Sequence, residues 1–284
     1  MHMLSSPSAV LRQPPIREQT RFWRDARFSG MDCMSATFVT HRFSPHAHEH
    51  FGIGAMEAGL KIATIRGCRQ MCGPGDLYLI NPEEIHDGGP VDGVYRYRMI
   101  YPSVALMREV LEERGGRALT ATPNFPSQIV HDPDLAQAFT LAHLLMEART
   151  TGMEGEEAML SVLLALFTRH GAFGPRPLYA HTGPAMARVR DYRHSHFAED
   201  IGLDRLAQLA GCSRAHLIRA FRAAYHITPH AYLTLRRIRE AGAMLVRGMP
   251  PAEVAFACGF ADQAHFTRSF KQRMGITPAQ FRRG

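Results

Sequence analysis

The sequence predicts an α+β architecture. The N-terminal half is an antiparallel β-barrel flanked by a helical hairpin. The C-terminal domain is all-α, with two helix-turn-helix motifs joined by a long helix. Three observations carry this. Residues 31–101 fall into short β-rich runs broken by Gly, Pro and Asp. The run AHLIRAFRAAYHITP at 215–229 returns forty-nine positions later as AHFTRSFKQRMGITP at 264–278, with seven of fifteen residues identical. The charge is also divided. Residues 185–284 hold 16 Lys or Arg against 7 Asp or Glu, a net of +9, whereas residues 1–184 hold 17 against 19, a net of −2.

The 284 residues suffice for two compact domains, and 45% hydrophobic with 21% charged content is ordinary globular material. No stretch approaches the ~20 apolar residues of a membrane helix. The opening MHMLSSPSAVLRQPPIREQ lacks the apolar core of a secretory signal. Cys33, Cys68, Cys72, Cys212 and Cys258 are odd in number and form no CxxC, so a reduced, cytoplasmic protein is expected. A basic domain joined to a near-neutral one suggests a nucleic-acid-binding half beside a half with another task; a solubilising surface is the plain alternative.

The strand-forming runs are SATFVTHRF, FGIGAME, GLKIATIRG, DLYLINP and VYRYRMIYP. In the last, alternation sends Tyr95, Tyr97, Met99 and Tyr101 to one face and Arg96 and Arg98 to the other. After residue 102 the pattern turns helical. Residues 103–116 form one amphipathic helix, and residues 132–150 and 154–170 form a helical hairpin. Leu141, Leu144 and Leu145 on one arm, with Leu160, Leu163, Leu164 and Phe167 on the other, exceed what one helix pair can bury. The Gly- and Pro-rich run at 171–184 reads as a linker. The expected domains are therefore 1–170 and 185–284.

The repeated unit is a short helix, a Gly turn and a second helix. In the first copy Leu203, Leu206 and Leu209 precede Gly211, and Ser213 caps a helix with the stripe Leu217, Phe221, Tyr225. In the second, Val254, Ala255 and Cys258 precede Gly259, and Asp262 caps a helix with the stripe Phe266, Phe270, Met274, ended by Gly275. The free face of the first second-helix carries Arg214, Ile218, Arg219 and Arg222; that of the other carries Gln263, Thr267, Arg268 and Lys271. Arg and Gln reach base edges, and further basic residues hold phosphates. His216 and His265 are expected to pack against neighbouring helices. Between the units, Thr228-Pro229 opens a helix that ends at Gly248. Such a helix is a rod of ~30 Å, close to the ~34 Å between successive major-groove segments. The duplication thus reads as two reading helices for two groove segments. A helical-repeat scaffold for protein binding is the alternative, and the basic free faces argue against it.

Residues 185–284 resemble the DNA-binding domain of AraC-type transcription regulators along their length. The resemblance rests on LDRLAQLAGCSRAHLIRAF, TPHAYLTLRRIREA and VAFACGFADQAHFTRSFKQRMGITPAQFR. It implies base-facing positions at Ala215, Ile218 and Arg219, and at Gln263, Ala264, Thr267 and Arg268. His226 departs from the family's usual Gly, which the second copy keeps as Gly275. PHAHEH (45–50), GPGD (73–76) and NPEEIH (81–86) resemble the cupin pattern. His46, His48 and His86 match the metal-holding histidines of cupin enzymes, whereas the carboxylate position falls on Gly52. The AraC-type resemblance implies a cupin-like sensor barrel without metal or other cofactor; His46, His48 and His86 then line an effector cavity or hydrogen-bond within the barrel, and Tyr95 and Tyr97, facing inward by alternation, form either a small-molecule wall or part of the barrel core. It further implies a ligand-controlled transcription regulator rather than an enzyme, more commonly an activator. The partners implied are promoter or operator DNA, a small-molecule effector, RNA polymerase and a second copy of the chain. A metal-dependent cupin enzyme with a DNA-tethering domain is the alternative. A DNA-repair fusion would need a zinc-binding cysteine cluster, which the five scattered cysteines do not supply.

Overall fold

The computed structural model describes residues 17–115, 121–148, 153–174 and 183–284. The N-terminal half begins with β1 (Gln19–Asp25), β2 (Met31–Phe38), β3 (Phe43–His46), β4 (Gly52–Ala58) and β5 (Lys61–Ile65). β6 (Cys68–Cys72), β7 (Asp76–Ile80), β8 (His86–Pro90) and β9 (Tyr95–Tyr101) follow. Then come α1 (Val104–Gly115), β10 (Pro123–Asn124), β11 (Ile129–His131), α2 (Pro133–Glu147), α3 (Glu154–His170) and β12 (Ala172–Phe173). The C-terminal half is helical: α4 (Pro184–Ser195), α5 (Leu203–Ala210), α6 (Arg214–Tyr225), α7 (Pro229–Val246), α8 (Pro251–Ala257), α9 (Gln263–Met274) and α10 (Pro278–Arg283).

The strands described form three antiparallel sheets: a six-stranded one in the order β1-β2-β9-β4-β7-β11, a four-stranded one in the order β3-β8-β5-β6, and the pair β10-β12. Alternation along β2 and β9 explains the layering. Their register pairs Met34 with Met99 and Phe38 with Tyr95. These residues, with Met56, Tyr78 and Tyr97, fill the space between the sheets. The opposite parity, Cys33 and Ile100 with Ile53, Leu77 and Leu79, packs under Leu106, Phe139 and Leu163 of α1–α3. β4 is therefore covered on both faces and reads as a continuous buried run from Gly52 to Met56. Arg96 and Arg98 point away from Tyr95 and Tyr97, as the alternation requires.

Besides short strands that the β-rich runs do not include, such as β6 and β8, three features differ from the sequence reading. β1 forms a full strand at 19–25, upstream of the β-rich region. The first residues of the Gly/Pro-rich segment belong to the N-terminal half, since Ala172–Phe173 pairs with Pro123–Asn124; residues 175–182 of that segment lie outside the described residues. Leu141 and Leu144 of α2 stay 59% and 42% exposed, so an apolar face of the hairpin is uncovered.

The C-terminal half has two cores, one per helix-turn-helix. Leu206, Leu217, Phe221 and Tyr225 build the first with Val189 of α4. Val254, Cys258, Phe266, Phe270 and Phe281 build the second. α7 supplies Leu235 to one and Ile238, Ala241 and Leu245 to the other, so this 18-residue helix ties the two units together. Among the described residues no helix is long and apolar enough to cross a membrane.

Candidate nucleic-acid interface and ligand pocket

The two helices expected to read DNA, α6 and α9, start in the same way. The Ser213 hydroxyl accepts from the His216 N–H on α6, and the Asp262 carboxylate accepts from the His265 N–H on α9. Each cap fixes where the following turn points. Arg214, Ala215, Arg219 and Arg222 are exposed on α6 and Ile218 is half-buried. On α9, Gln263, Ala264, Arg268 and Lys271 are exposed and Thr267 is half-buried. The buried stripes Leu217–Phe221–Tyr225 and Phe266–Phe270 set this orientation from below. Two candidates carry additional contacts. Arg214 forms an ion pair with Asp204 of α5. Lys271 borders a cleft of about 750 Å³ against β1, β2 and β9. His265 packs edge-on against Phe260, with centroids 5.4 Å apart, while His216 is exposed and does not pack as the sequence suggested.

In the 750 Å³ cleft the charges are largely paired with one another. Glu57 meets Arg96 at 3.2 Å and Arg98 at 2.9 Å, and Glu147 meets both Arg98 and Arg21.

The three histidines of the cupin-like pattern do come together. The His86 ring lies 4.2 Å from His46 and 5.0 Å from His48, centroid to centroid. In each, Nδ1 faces a backbone carbonyl: Ser44 at 2.8 Å for His46, His50 at 2.7 Å for His48 and Glu84 at 2.8 Å for His86. A carbonyl only accepts, so Nδ1 carries the proton and Nε2 is left as an acceptor. Burial holds His46 down to about 3 and His48 down to about 4, and it holds His86 well below the usual histidine value. All three stay neutral at pH 7.

The set does not suit a cupin metal centre. At the carboxylate position, Gly52 backs directly onto His48, and a Cβ there would stand 2.9 Å from His48 Cε1. A Glu side chain would displace the ring it is meant to assist. Among the described residues no group of three or more His, Cys, Asp or Glu is placed to hold a metal ion.

His46 and His48 instead line a pocket of about 120 Å³ at the junction of the two halves. Its N-terminal wall includes Met34, Phe43 and Tyr101, and its C-terminal wall is Arg273, Met274 and Ile276. Tyr95 and Tyr97 are not on this wall. They stack on each other within the core between the sheets, at 0% and 4% exposure, and Tyr101 takes the lining position. Two residues that sequence reasoning passed over matter here. Lys61 of β5 is buried with its ammonium 3.9 Å from the Tyr78 ring centroid. Arg273 of α9 is 8% exposed; Nη1 donates to the Ser269 carbonyl at 3.2 Å, and Nε is buried without a partner. Arg273 stands seven residues after Phe266 and three after Phe270, so helical spacing puts it on the buried stripe of α9, a signal that the sequence reading did not use.

The two halves meet at several further points. Arg239 of α7 pairs with Glu83 at 2.8 Å, and Ala47 and Ile85 enter the core of the first helix-turn-helix. Phe22 stacks on Phe281 at 5.3 Å, and the Arg24 N–H donates to the Gly284 carbonyl at 3.3 Å.

Comparison with known proteins agrees with both halves. A model of the AraC-like ligand binding domain matches residues 28–163, and a helix-turn-helix domain model matches residues 206–284. The chain is similar to the HTH-type transcriptional regulator YbfI of Bacillus subtilis, at 28% identity over 80% of this chain and 82% of the relative. It is similar to the arabinose operon regulatory protein of Salmonella typhimurium, at 28% identity over 80% and 81%. The crystal structure of apo ToxT K231A from Vibrio cholerae shares the fold, with TM-score 0.51 and 10% identity over 88% of this chain and 96% of that one.

Proposed function

Because the chain belongs to the AraC-type transcription regulators, we propose that α6 and α9 enter successive major-groove segments of one promoter and that a small molecule bound by the N-terminal half controls this. The observation that supports the reading best is the pair of alike-capped helices, each with an exposed basic face, held on one 18-residue helix. In this reading Arg219, Gln263, Thr267 and Arg268 meet base edges, Ala215, Ile218 and Ala264 make apolar contacts, and Arg214, Arg222 and Lys271 hold phosphates. The effector differs in affinity for two arrangements of the halves and so shifts promoter binding or contact with RNA polymerase. The uncovered Leu141–Leu144 face on α2 is the surface through which two chains pair. Activation and a cytoplasmic location belong to the same proposal.

The test is binding to a DNA site selected from a random pool by the full-length protein. Arg219→Ala and Arg268→Ala should each cost ~1–3 kcal/mol at that site and relax base preference at distinct positions. Unchanged specific binding in both variants would refute the assignment of the reading helices.

A further inference from the structure

The pocket at the junction poses a chemical question that neither half answers alone. Arg273 is a cation at its wall, and burial lowers it only to about 10, so it is charged at neutral pH. A buried charged donor with no partner is costly, and such groups are paired or hydrogen-bonded in stable structures. Among the described residues no carboxylate forms an ion pair with Arg273. Asp32 lines the same pocket but is paired with Arg24 at 3.1 Å. The imidazoles of His46 and His48 are neutral, with Nδ1 occupied by backbone carbonyls. Arg273 is therefore the group in this wall that calls for an anion.

Size and polarity narrow the anion further. A volume of about 120 Å³ is close to the ~150 Å³ of a cavity that holds benzene. Apart from Arg273, Asp32, the Tyr101 phenol and the imidazoles of His46, His48 and His50, the walls are apolar, formed by Phe22, Met34, Phe43, Met274 and Ile276. One cation among apolar walls suits a monoanion with a small apolar body, not a multiply charged phosphate.

We propose that the effector is a compact monocarboxylate, with its carboxylate on Arg273 and its body between Met34 and Phe43 of the N-terminal half and Ile276 of the C-terminal half. The site is incomplete in either half. Its anchor sits on α9, the helix that also carries Gln263, Thr267 and Arg268, so occupancy fixes a reading helix against the sensor. By linkage, the acid and the promoter then change each other's affinity by the same factor. This inference rests on the regulator reading and names the ligand class and the coupling.

The experiment uses the full-length protein and calorimetric titration with butyrate, hexanoate, benzoate and phenylacetate, each beside its primary amide. At least one acid should bind one-to-one, with its amide at least tenfold weaker. Arg273→Met should weaken that acid by about 10- to 100-fold and leave the amide unchanged. Arg273→Lys, which keeps the charge, should retain part of the discrimination and serves where the Met variant does not fold. Binding of no acid, equal binding of acid and amide, or an acid affinity indifferent to Arg273 would each overturn the proposal. The same preparations are titrated with the selected DNA site. Specific DNA binding with failed acid binding defeats only this inference, whereas absent specific DNA binding defeats the regulator reading itself.

Discussion

Lys61 lies between the sheets with aromatic rings around it, Tyr78 at 3.9 Å, Tyr97 at 5.2 Å and Phe43 at 5.9 Å from the ammonium. Burial lowers it from 10.5 to about 8. Between pH 8 and 10.5 the unfolded chain therefore holds a proton that the folded one has released, and the folded state gains stability as pH rises through that window. Below pH 8 the fold carries a buried ammonium at a cost. Lys61→Met should raise stability at pH 7 by ~1–3 kcal/mol, an advantage that shrinks by pH 10. Urea midpoints at the two pH values check this; a Met variant less stable at pH 7 would show that the aromatic cage stabilises the charge. The sequence exposed His46, His48 and His86 as a group because their spacing is a motif. Lys61 and Arg273 belong to no motif. Their significance comes from what surrounds them, which only the folded chain brings near.

The two helix-turn-helix units show what local sequence determines at the scale of an element. Caps, Gly turns and apolar stripes involve residues within a few positions of each other, and Ser213, Thr228, Asp262 and Thr277 all cap as their types dictate. One departure, His226, takes the left-handed conformation at φ 59°, where the other copy has Gly275 at φ 75°. The surroundings explain the difference. At Gly275 a Cβ would stand 3.1 Å from Phe43 Cζ and 3.2 Å from Phe38 Cζ, whereas His226 finds room beside Gly67. Gly275→Ala should therefore cost ~1–3 kcal/mol and His226→Gly should change stability by less than ~1 kcal/mol. Thermal unfolding of the full-length variants measures both, and equal effects would show that contact with the sensor does not distinguish the two helix ends. Strand β1 was illegible for the opposite reason. Its run QTRFWRD sets Thr20, Phe22 and Trp23 among charged and polar residues, and its pairing with β2 supplies what propensity does not. The glycines of β8 and the polar residues of β6 are strands on the same ground.

At the scale of the whole molecule, the sequence revealed two halves with different charge but not how they touch. The contacts pair residues far apart in the chain, such as Glu83 with Arg239 and Phe22 with Phe281, and no periodicity encodes them. They place the N-terminal half against α7, the first helix-turn-helix core and the C-terminal ends of α9 and α10, and leave the capped ends of α6 and α9 exposed. The central claim is that one chain reads two successive groove segments from one face of the duplex. Its most direct test is fluorescence anisotropy on the selected site and on the same site with five base pairs inserted between its two sub-sites. The insertion rotates one sub-site by about half a turn of the ~10.5 base-pair repeat. Because α7 fixes the spacing, specific affinity should fall at least ~100-fold, toward the level of scrambled DNA. Affinity unaffected by the insertion would mean that only one helix reads the DNA.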